Sequence, residues 1–240
     1  MNNEAYIDTA SRDGGAASAS ANEAALVARG RAAIYACLAR GFAFPADELL
    51  LLLRHVEAAG GEGRNTCGRG VRRSPPTAEC GDGLGAALQA LAQAAIESDI
   101  QSLRRSYMRI FDPRRPPFPF EAEHRAEHFQ QSARLLADLQ GFYRAFGLRT
   151  DGERPDHIAT ELNFLHVLCL KQAAAFERGM TEQATVCEDA RILFLKEHVL
   201  PWYASVCDLV RERAVEPHDR FYLELADTLD LAIRRENEAC

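Results

Sequence analysis

Two short segments of the chain carry imidazole and carboxylate side chains at spacings that could support chemistry. The first is His124-Arg-Ala-Glu127-His128, which matches a His-x-x-Glu-His pattern found in zinc enzymes. On one helix, the two imidazoles would lie a turn apart and hold Zn²⁺, while the glutamate would activate a water molecule. Such a pattern also arises easily by chance on a solvated, charged helix. A zinc hydrolase that uses His124, Glu127 and His128 is therefore an alternative hypothesis.

The second segment places acids and one histidine around a predicted helix start, at Glu153, Asp156, His157 and Glu161. His157 could act as a general base, as a metal ligand, or only as a residue that caps the helix and forms ion pairs. The chain contains no Gly-x-x-x-x-Gly-Lys loop, no Gly-x-Ser-x-Gly elbow and no defensible Ser-His-Asp arrangement. These patterns favour binding over catalysis, with no catalytic residue and no metal site.

A buried helix must position this second segment. Pro155 fixes its own φ and disfavours the helical conformation at Arg154, and Asp156 can offer its carboxylate to the first amides of the following helix. Apolar residues then recur at spacings of four, three and four, at Ile158, Leu162, Leu165 and Cys169. This spacing predicts a helix with most of one side buried.

The remaining apolar periodicity is also helical. It predicts a helix from about Glu23 to Phe42, a helix or helix pair from Leu84 to Phe111, one helix from about Glu121 to Phe146, and further helices near Thr181, Pro201 and Tyr222. No stretch alternates with period two for long enough to form a strand. The predicted fold class is therefore all-α, with one globular helical bundle.

Three segments depart from this periodicity. Residues 1–21 are rich in Ala, Ser, Gly and Asn and predict a disordered tail before a domain that spans residues 22–240. Residues 59–83 are rich in Gly and Arg and predict a long, mobile surface loop. Residues 112–120 combine prolines, which exclude a helix, with phenylalanines that favour shelter, and predict an ordered connector across a groove.

The composition limits the possible functions. A net charge of −7 argues against nucleic-acid binding, which needs clustered Lys and Arg. No apolar run approaches the ~20 residues of a membrane span, and residues 1–21 lack the apolar core of an export signal. We therefore expect a cytoplasmic protein without stable membrane insertion. The seven cysteines form no Cys-x-x-Cys pair, as is typical of reduced core thiols.

Several motifs together resemble the TorD/DmsD/NarJ family, the cytoplasmic chaperones that mature molybdenum-containing oxidoreductases. Glu153-x-x-Asp156-His157, followed by Ile158 and Glu161-Leu162, carries the resemblance, which covers about residues 30–235. Other segments agree in order: Tyr107-x-x-Ile110-Phe111, Pro-Pro-Phe-Pro-Phe-Glu121, Phe194-Leu-Lys-Glu-His198 with Trp202, and Phe221-Tyr222. The run Phe-Pro-Phe-Glu-Ala-Glu-His at 118–124 is most similar to the chaperones of type II dimethyl sulfoxide reductase enzymes, such as ethylbenzene dehydrogenase and the chlorate and selenate reductases.

The resemblance implies a TorD-like bundle that is not an enzyme and has no cofactor of its own. It would bind the apo catalytic subunit of a molybdenum oxidoreductase, with its twin-arginine signal peptide if present, assist molybdenum cofactor insertion and delay export. Acidic and aromatic groups would complement a basic and apolar signal peptide. The candidate contacts are polar at Glu121, Glu153, Asp156 and His157, and apolar at Tyr107, Phe111, Phe118 and Phe120. A helical adaptor with an unrelated client is a third hypothesis, and we expect a monomer or a homodimer.

Overall fold

A computed structural model of the chain describes residues 7–46, 83–150, 152 and 154–239. Its α-helices, in chain order, are α1 (Ile7–Phe42), α2 (Gly83–Glu97), α3 (Ile100–Ile110), α4 (Glu121–Arg125), α5 (Phe129–Ala145), α6 (Ile158–Glu177), α7 (Thr181–Phe194), α8 (Tyr203–Arg213) and α9 (Arg220–Ala239). A π-helix (Leu195–Val199) follows α7, and a 3-10 turn (Pro217–Asp219) precedes α9. The described ranges contain no strand, so the predicted all-α class is confirmed.

Helix α6 lies at the centre of the fold and packs against both α1 and α7. The predicted apolar stripe is fully buried, at Ile158, Leu162, Leu165 and Cys169. Ala28 and Ala32 are also buried on α1, and such small side chains let two helix backbones approach closely. Nδ1 of His166 on α6 lies 2.8 Å from the carbonyl oxygen of Ala32, which links the two helices directly.

Helix α9 joins the rest of the chain to this core by packing against α2, α8 and α1. The hydroxyl group of Tyr222 donates to the carbonyl oxygen of Leu103 in α3 at 3.2 Å. Near the end of α1, a Cβ atom built on Gly41 would lie only 2.5 Å from Cδ1 of Leu225. A residue without a side chain at position 41 therefore allows α1 and α9 to meet.

Arg191 of α7 is 1% exposed and belongs to a network of paired charges that joins three helices. It donates to the carboxylates of Glu188, in its own helix, and Glu236 of α9. Arg31 of α1 pairs with the same two carboxylates. A buried guanidinium is tolerable only when it is paired in this way, so the network fixes how α1, α7 and α9 meet.

The structure changes several predicted boundaries. The single helix predicted from Glu121 to Phe146 is in fact two helices, because Ala126 is extended, with φ −93° and ψ 124°. Helix α1 begins at Ile7, so the structure assigns helix to much of residues 1–21, where we predicted a disordered tail. Residues 59–82 of the predicted loop lie outside the described residues, and the domain limits stay predictions. No helix in the described part of the chain has both the length and the apolar character needed to span a bilayer.

Candidate functional site

The connector (residues 112–120) leads from α3 to α4 through turns and bends, without helix. Its path is fixed by Arg213 of α8, a buried residue whose guanidinium donates to the carbonyl oxygens of Ile110 at 3.0 Å and Pro116 at 3.2 Å. Prolines leave few backbone N–H groups in this segment, so side-chain donors must satisfy its carbonyl groups. An ordered connector results.

The end of the connector is hydrogen bonded to the Asp-His turn (residues 154–157) that precedes α6. The amide of Ile158 donates to the carbonyl oxygen of Pro119 at 3.0 Å, and the amide of Glu121 donates to the carbonyl oxygen of Asp156 at 2.8 Å. These bonds form the isolated bridge between Phe120 and His157, whose rings lie 5.3 Å apart. The connector and the Asp-His turn, which lie far apart in the sequence, therefore form one site.

Asp156 is fully buried at the junction of these segments. Its carboxylate accepts two hydrogen bonds from Arg154, at 2.9 and 2.7 Å, and one from the amide of Ala122 at 3.3 Å. We expected this carboxylate to cap α6, but it faces the first turn of α4 instead. That expectation was wrong because the side chain points away from α6 and binds the amide of Ala122, which lies 34 residues earlier in the chain.

His157 is the residue that caps α6. Its Nδ1 atom accepts a hydrogen bond from the amide of Ala159 at 3.0 Å, so Nε2 carries the proton. Burial lowers the pKa of His157 to about 4, against the opposing effect of the Asp156 carboxylate. The capping role is confirmed, whereas ion pairing by this imidazole is excluded near neutral pH because the ring is uncharged.

Glu161 and Glu121 extend the buried carboxylates into a cluster, which we call the carboxylate cluster (Glu121, Asp156 and Glu161). All three are 0% exposed. Burial, and then the adjacent charge of Glu121, raise the pKa of Glu161 well above its usual value, which favours the protonated carboxyl group. Its Oε2 accepts from Nε1 of Trp202 at 3.1 Å, while Oε1 accepts no hydrogen bond, as fits a protonated carboxyl group that faces Glu121.

Aromatic and basic side chains enclose this cluster. Tyr143 donates its hydroxyl to the carbonyl oxygen of Pro155 at 2.7 Å, and burial followed by the charge of Glu161 raises the pKa of that hydroxyl. Glu121 forms an ion pair with Arg125 and lies 3.1 Å from Nδ1 of His198. Glu121 and Asp156 thus find their hydrogen-bond donors inside the protein, and all three carboxyl groups of the cluster are closed to solvent.

The zinc pattern of the alternative hypothesis is not assembled. His124 lies in α4, whereas His128 lies beyond the break at Ala126 and precedes α5, so the two rings do not share a helical face. His124 instead donates from Nε2 to the carbonyl oxygen of Phe118 at 2.8 Å and stacks 5.4 Å from Trp202. The helix that would have aligned the two ligands ends too early, and this hypothesis is wrong.

The remaining candidates occupy different environments. Phe118 and Phe120 are half-buried and in edge contact at 6.3 Å. Tyr107 is half-buried and Phe111 is 7% exposed, so Phe111 belongs to the core. Glu153 lies outside the described residues.

Sequence reasoning missed the parts played by Arg154, Trp202 and Glu161. Arg154 holds Asp156 and also lies 4.0 Å above the ring of Phe120. For Glu161 a signal existed, because it stands one residue before Leu162 and four before Leu165, on the apolar side of α6. A glutamate at a buried helical position predicts an acid with unusual partners.

Fold and site together define an all-α protein whose connector is anchored over a buried carboxylate cluster, with no catalytic constellation among the described residues. Sequence comparison agrees. The family model described as nitrate reductase delta subunit matches residues 78–208, more than half of the chain. The chain belongs to this family, which confirms the resemblance to TorD, DmsD and NarJ proteins.

Three curated relatives are similar in sequence. The perchlorate reductase assembly chaperone protein of Dechloromonas aromatica (strain RCB) is 34% identical over 116 residues, which is 46% of this chain and 50% of the relative. The chlorate reductase assembly chaperone protein of Ideonella dechloratans is 34% identical over 86 residues (35% and 42%). The selenate reductase assembly chaperone protein of Thauera selenatis is 33% identical over 98 residues (40% and 47%). The chain thus spans about half the length of the curated relatives it matches.

Proposed function

We propose that this chain is a cytoplasmic, system-specific chaperone of a molybdenum oxidoreductase. It binds the apo catalytic subunit, together with the twin-arginine signal peptide of that subunit where one is present. It assists insertion of the molybdenum cofactor and delays export until the cofactor is loaded. It catalyses no reaction of its own.

The observation that carries this proposal is that all three relatives are named as assembly chaperones of a reductase. The family match over residues 78–208 contains the connector, the Asp-His turn and the carboxylate cluster. Two of the relatives are named for chlorate and selenate reductase, the enzymes that the resemblance in the connector also indicates. Buried free thiols at Cys169, Cys187 and Cys207 fit a reducing cytoplasm.

Burial changes the role that we assign to two of the candidate residues. Glu121 and Asp156 have no exposed side-chain surface, so they act as positioning residues rather than as direct contacts. We assign the contact surface to the groups that they hold in place, which are Phe118, Phe120 and the neighbouring ring of His157. Half-buried aromatic side chains on a rigid segment suit an apolar stretch of client, since little entropy is lost on binding.

A second apolar surface lies around Tyr107. Phe44 is 52% exposed and contacts Tyr107 edge-on at 5.4 Å, and Met108 is 53% exposed beside it. Exposed aromatic and methionine side chains are common at surfaces that bind apolar helices. We propose this surface as an additional client contact, with Phe111 supporting Tyr107 from below at 4.8 Å.

Co-purification from the source cell tests the proposal. The tagged full-length chain is isolated under mild conditions, and bound proteins are identified by mass spectrometry with molybdenum analysis of the complex. We expect enrichment of the catalytic subunit of a molybdenum oxidoreductase with little bound molybdenum. Enrichment of an unrelated protein in its place, with no such subunit, would instead support the helical adaptor hypothesis and reject this proposal.

Paired variants test the contact surface separately. Phe118→Ser removes a half-buried ring of the connector, while Phe129→Ser, the control, removes a ring that is 86% exposed on α5. We expect client recovery to fall by about tenfold in Phe118→Ser, as for the loss of one aromatic contact, and to remain unchanged in Phe129→Ser. Circular dichroism confirms that both variants fold. Loss of recovery only in Phe129→Ser would move the contact surface to α5 without rejecting the function.

A further inference from the structure

One group of side chains lies outside the proposed client surface and has a chemistry of its own. Asp138 of α5, with Glu197 and His198 of the π-helix, bring one potential metal-ligand atom each to within 4.8 Å of one another. They line an open cavity of about 540 Å³ between α5 and the π-helix. A π-turn within a run of helix is often found at functional sites. Here it brings potential ligand atoms of two consecutive residues, Glu197 and His198, to within 4.8 Å of each other.

His198 provides an independent observation that points to a ligand. Its side chain is 3% exposed, and its Nδ1 lies 3.1 Å from the Glu121 carboxylate, which can only accept a proton. Nδ1 therefore carries a hydrogen, and in a neutral imidazole Nε2 then presents its lone pair to the cavity. Nε2 lies 3.2 Å from Oδ2 of Asp138 yet forms no hydrogen bond within the described residues. A lone pair that faces a carboxylate at this distance is repulsive unless a cation lies between them.

We propose that Asp138, Glu197 and His198 bind a divalent metal ion of the zinc type. Zinc accepts imidazole nitrogen and carboxylate oxygen at about 2.0–2.2 Å, and two ligands of a tetrahedral ion are then about 3.3 Å apart. The observed 3.2 Å between Nε2 and Oδ2 matches that separation. Glu121 would orient the imidazole from behind, as a carboxylate commonly does for a metal-bound histidine. Three protein ligands leave one position for water, and the ion would join α5 to the π-helix.

Nearby cationic side chains suggest a competing explanation for the short distance between His198 and Asp138. Arg134 and Lys196 also line the cavity, and Arg125 donates both to Glu121 and to the carbonyl oxygen of Glu197. In such surroundings a doubly protonated His198, paired with Asp138, could take the place of a metal ion. The two explanations differ in one measurable property, which is whether the chain binds a metal ion at these residues.

Titration of the metal-free, full-length chain with Co²⁺ and Zn²⁺ tests the proposal. We expect one equivalent to bind, with visible cobalt bands of a nitrogen and oxygen site and without a sulfur-to-cobalt charge-transfer band. Zn²⁺ should displace the Co²⁺ and raise the melting temperature. Absence of cobalt bands, or bands with thiolate character alone, would overturn the site, because the latter would place the ion on cysteines.

Surface variants locate the ion without disturbing the core. Asp138→Asn and Glu197→Gln each remove one exposed ligand and should weaken Co²⁺ binding by at least about tenfold. Asp189→Asn, which changes an exposed acid on α7 outside the group, is the matched control and should bind like the unaltered chain. Equal affinity in all four proteins would overturn the proposal. His198→Ala is avoided because the ring packs against Phe142 and Phe194 at 5.4 and 4.9 Å.

Discussion

Arg154 and Asp156 form a bidentate ion pair in which the Asp156 side chain is inaccessible to solvent and the Arg154 side chain is 44% exposed. The same guanidinium lies 4.0 Å above the ring of Phe120. One side chain therefore satisfies a buried charge and covers the aromatic end of the connector at the same time. The stability of the site and the order of its proposed contact surface should depend on this residue.

Arg154→Ala tests how much the ion pair with Asp156 contributes to the stability of the fold. The variant leaves the Asp156 carboxylate with the Ala122 amide as its main donor, which should lower the free energy of unfolding by about 1–3 kcal/mol at neutral pH. Urea denaturation measures this loss. Arg149→Ala, at an exposed arginine just after α5, is the control and should change little. A loss equal to that of the control would mean that the pair contributes nothing to stability.

Glu161 should behave as a neutral, hydrogen-bonding group. Glu161→Gln keeps an acceptor for Trp202 and a donor for Glu121, so the free energy of unfolding below about pH 4.5, where Glu161 is protonated in the folded and the unfolded chain alike, should change by less than about 1 kcal/mol. Glu161→Ala leaves the indole N–H buried without an acceptor and should cost about 2–4 kcal/mol. Chemical denaturation of both variants compares them directly.

The pH dependence of these proteins checks the protonation of Glu161. Because its folded pKa is raised, the folded state holds a proton that the unfolded state loses above about pH 4.5. The unaltered chain should therefore lose stability relative to Glu161→Gln as the pH rises above that value. A constant difference between the two from pH 4 to pH 8 would show that Glu161 is ionised in the fold.

His157 should make the fold sensitive to acid. Its pKa is 6.5 when unfolded and about 4 when folded, so the unfolded state binds more protons between these values and stability rises with pH across that window. The contribution is fully present above pH 6.5 and is lost as the pH falls towards 4, by about 3 kcal/mol in total. His157→Asn keeps a capping acceptor and should remove this loss.

The matched control for this titration is His128→Asn. His128 also precedes a helix, yet it is exposed and its side chain makes no capping hydrogen bond. The control should keep the acid sensitivity of the unaltered chain, whatever its effect on overall stability. Equal slopes in His157→Asn and the unaltered chain between pH 4 and 6.5 would contradict the lowered pKa.

The spacing of apolar residues was sufficient to predict the central helix α6. It was insufficient to predict the burial and the hydrogen-bond partners of the acidic residues beside it. Ile158, Leu162 and Leu165 are buried as their spacing predicts, because periodicity within one helix decides which side faces the core. The break between α4 and α5 has no Gly or Pro signal, since Ala126, Glu127 and His128 are tolerated in helices. Tertiary contacts, rather than local propensity, fix that break.

Burial of the carboxylates could not be predicted for a related reason. The partner of Glu161 is Trp202, 41 residues away, and the amide bound by Asp156 lies 34 residues earlier. Whether an acid faces solvent or an internal hydrogen-bond donor depends on residues that are far away in the sequence. The spacing of neighbouring residues carries no information about them. The sequence motif thus pointed to the segment that holds the buried acids, and their burial is the reason that we propose a positioning role for them rather than direct client contact.

Two glycines of α1 offer a test of how tightly this helix is held against the core. A Cβ atom at Gly41 would lie 2.5 Å from Cδ1 of Leu225, which is fully buried, whereas nothing lies within 4 Å of a Cβ atom at Gly30. Gly41→Ala should therefore lower the free energy of unfolding by about 1–3 kcal/mol through overpacking. Gly30→Ala should raise it by about 0.5–1 kcal/mol, because alanine is the better helix former. Thermal and urea denaturation measure whether the free energy of unfolding falls in Gly41→Ala and rises in Gly30→Ala. An increase in Gly41→Ala would mean that α1 and α9 can move apart without loss of stability.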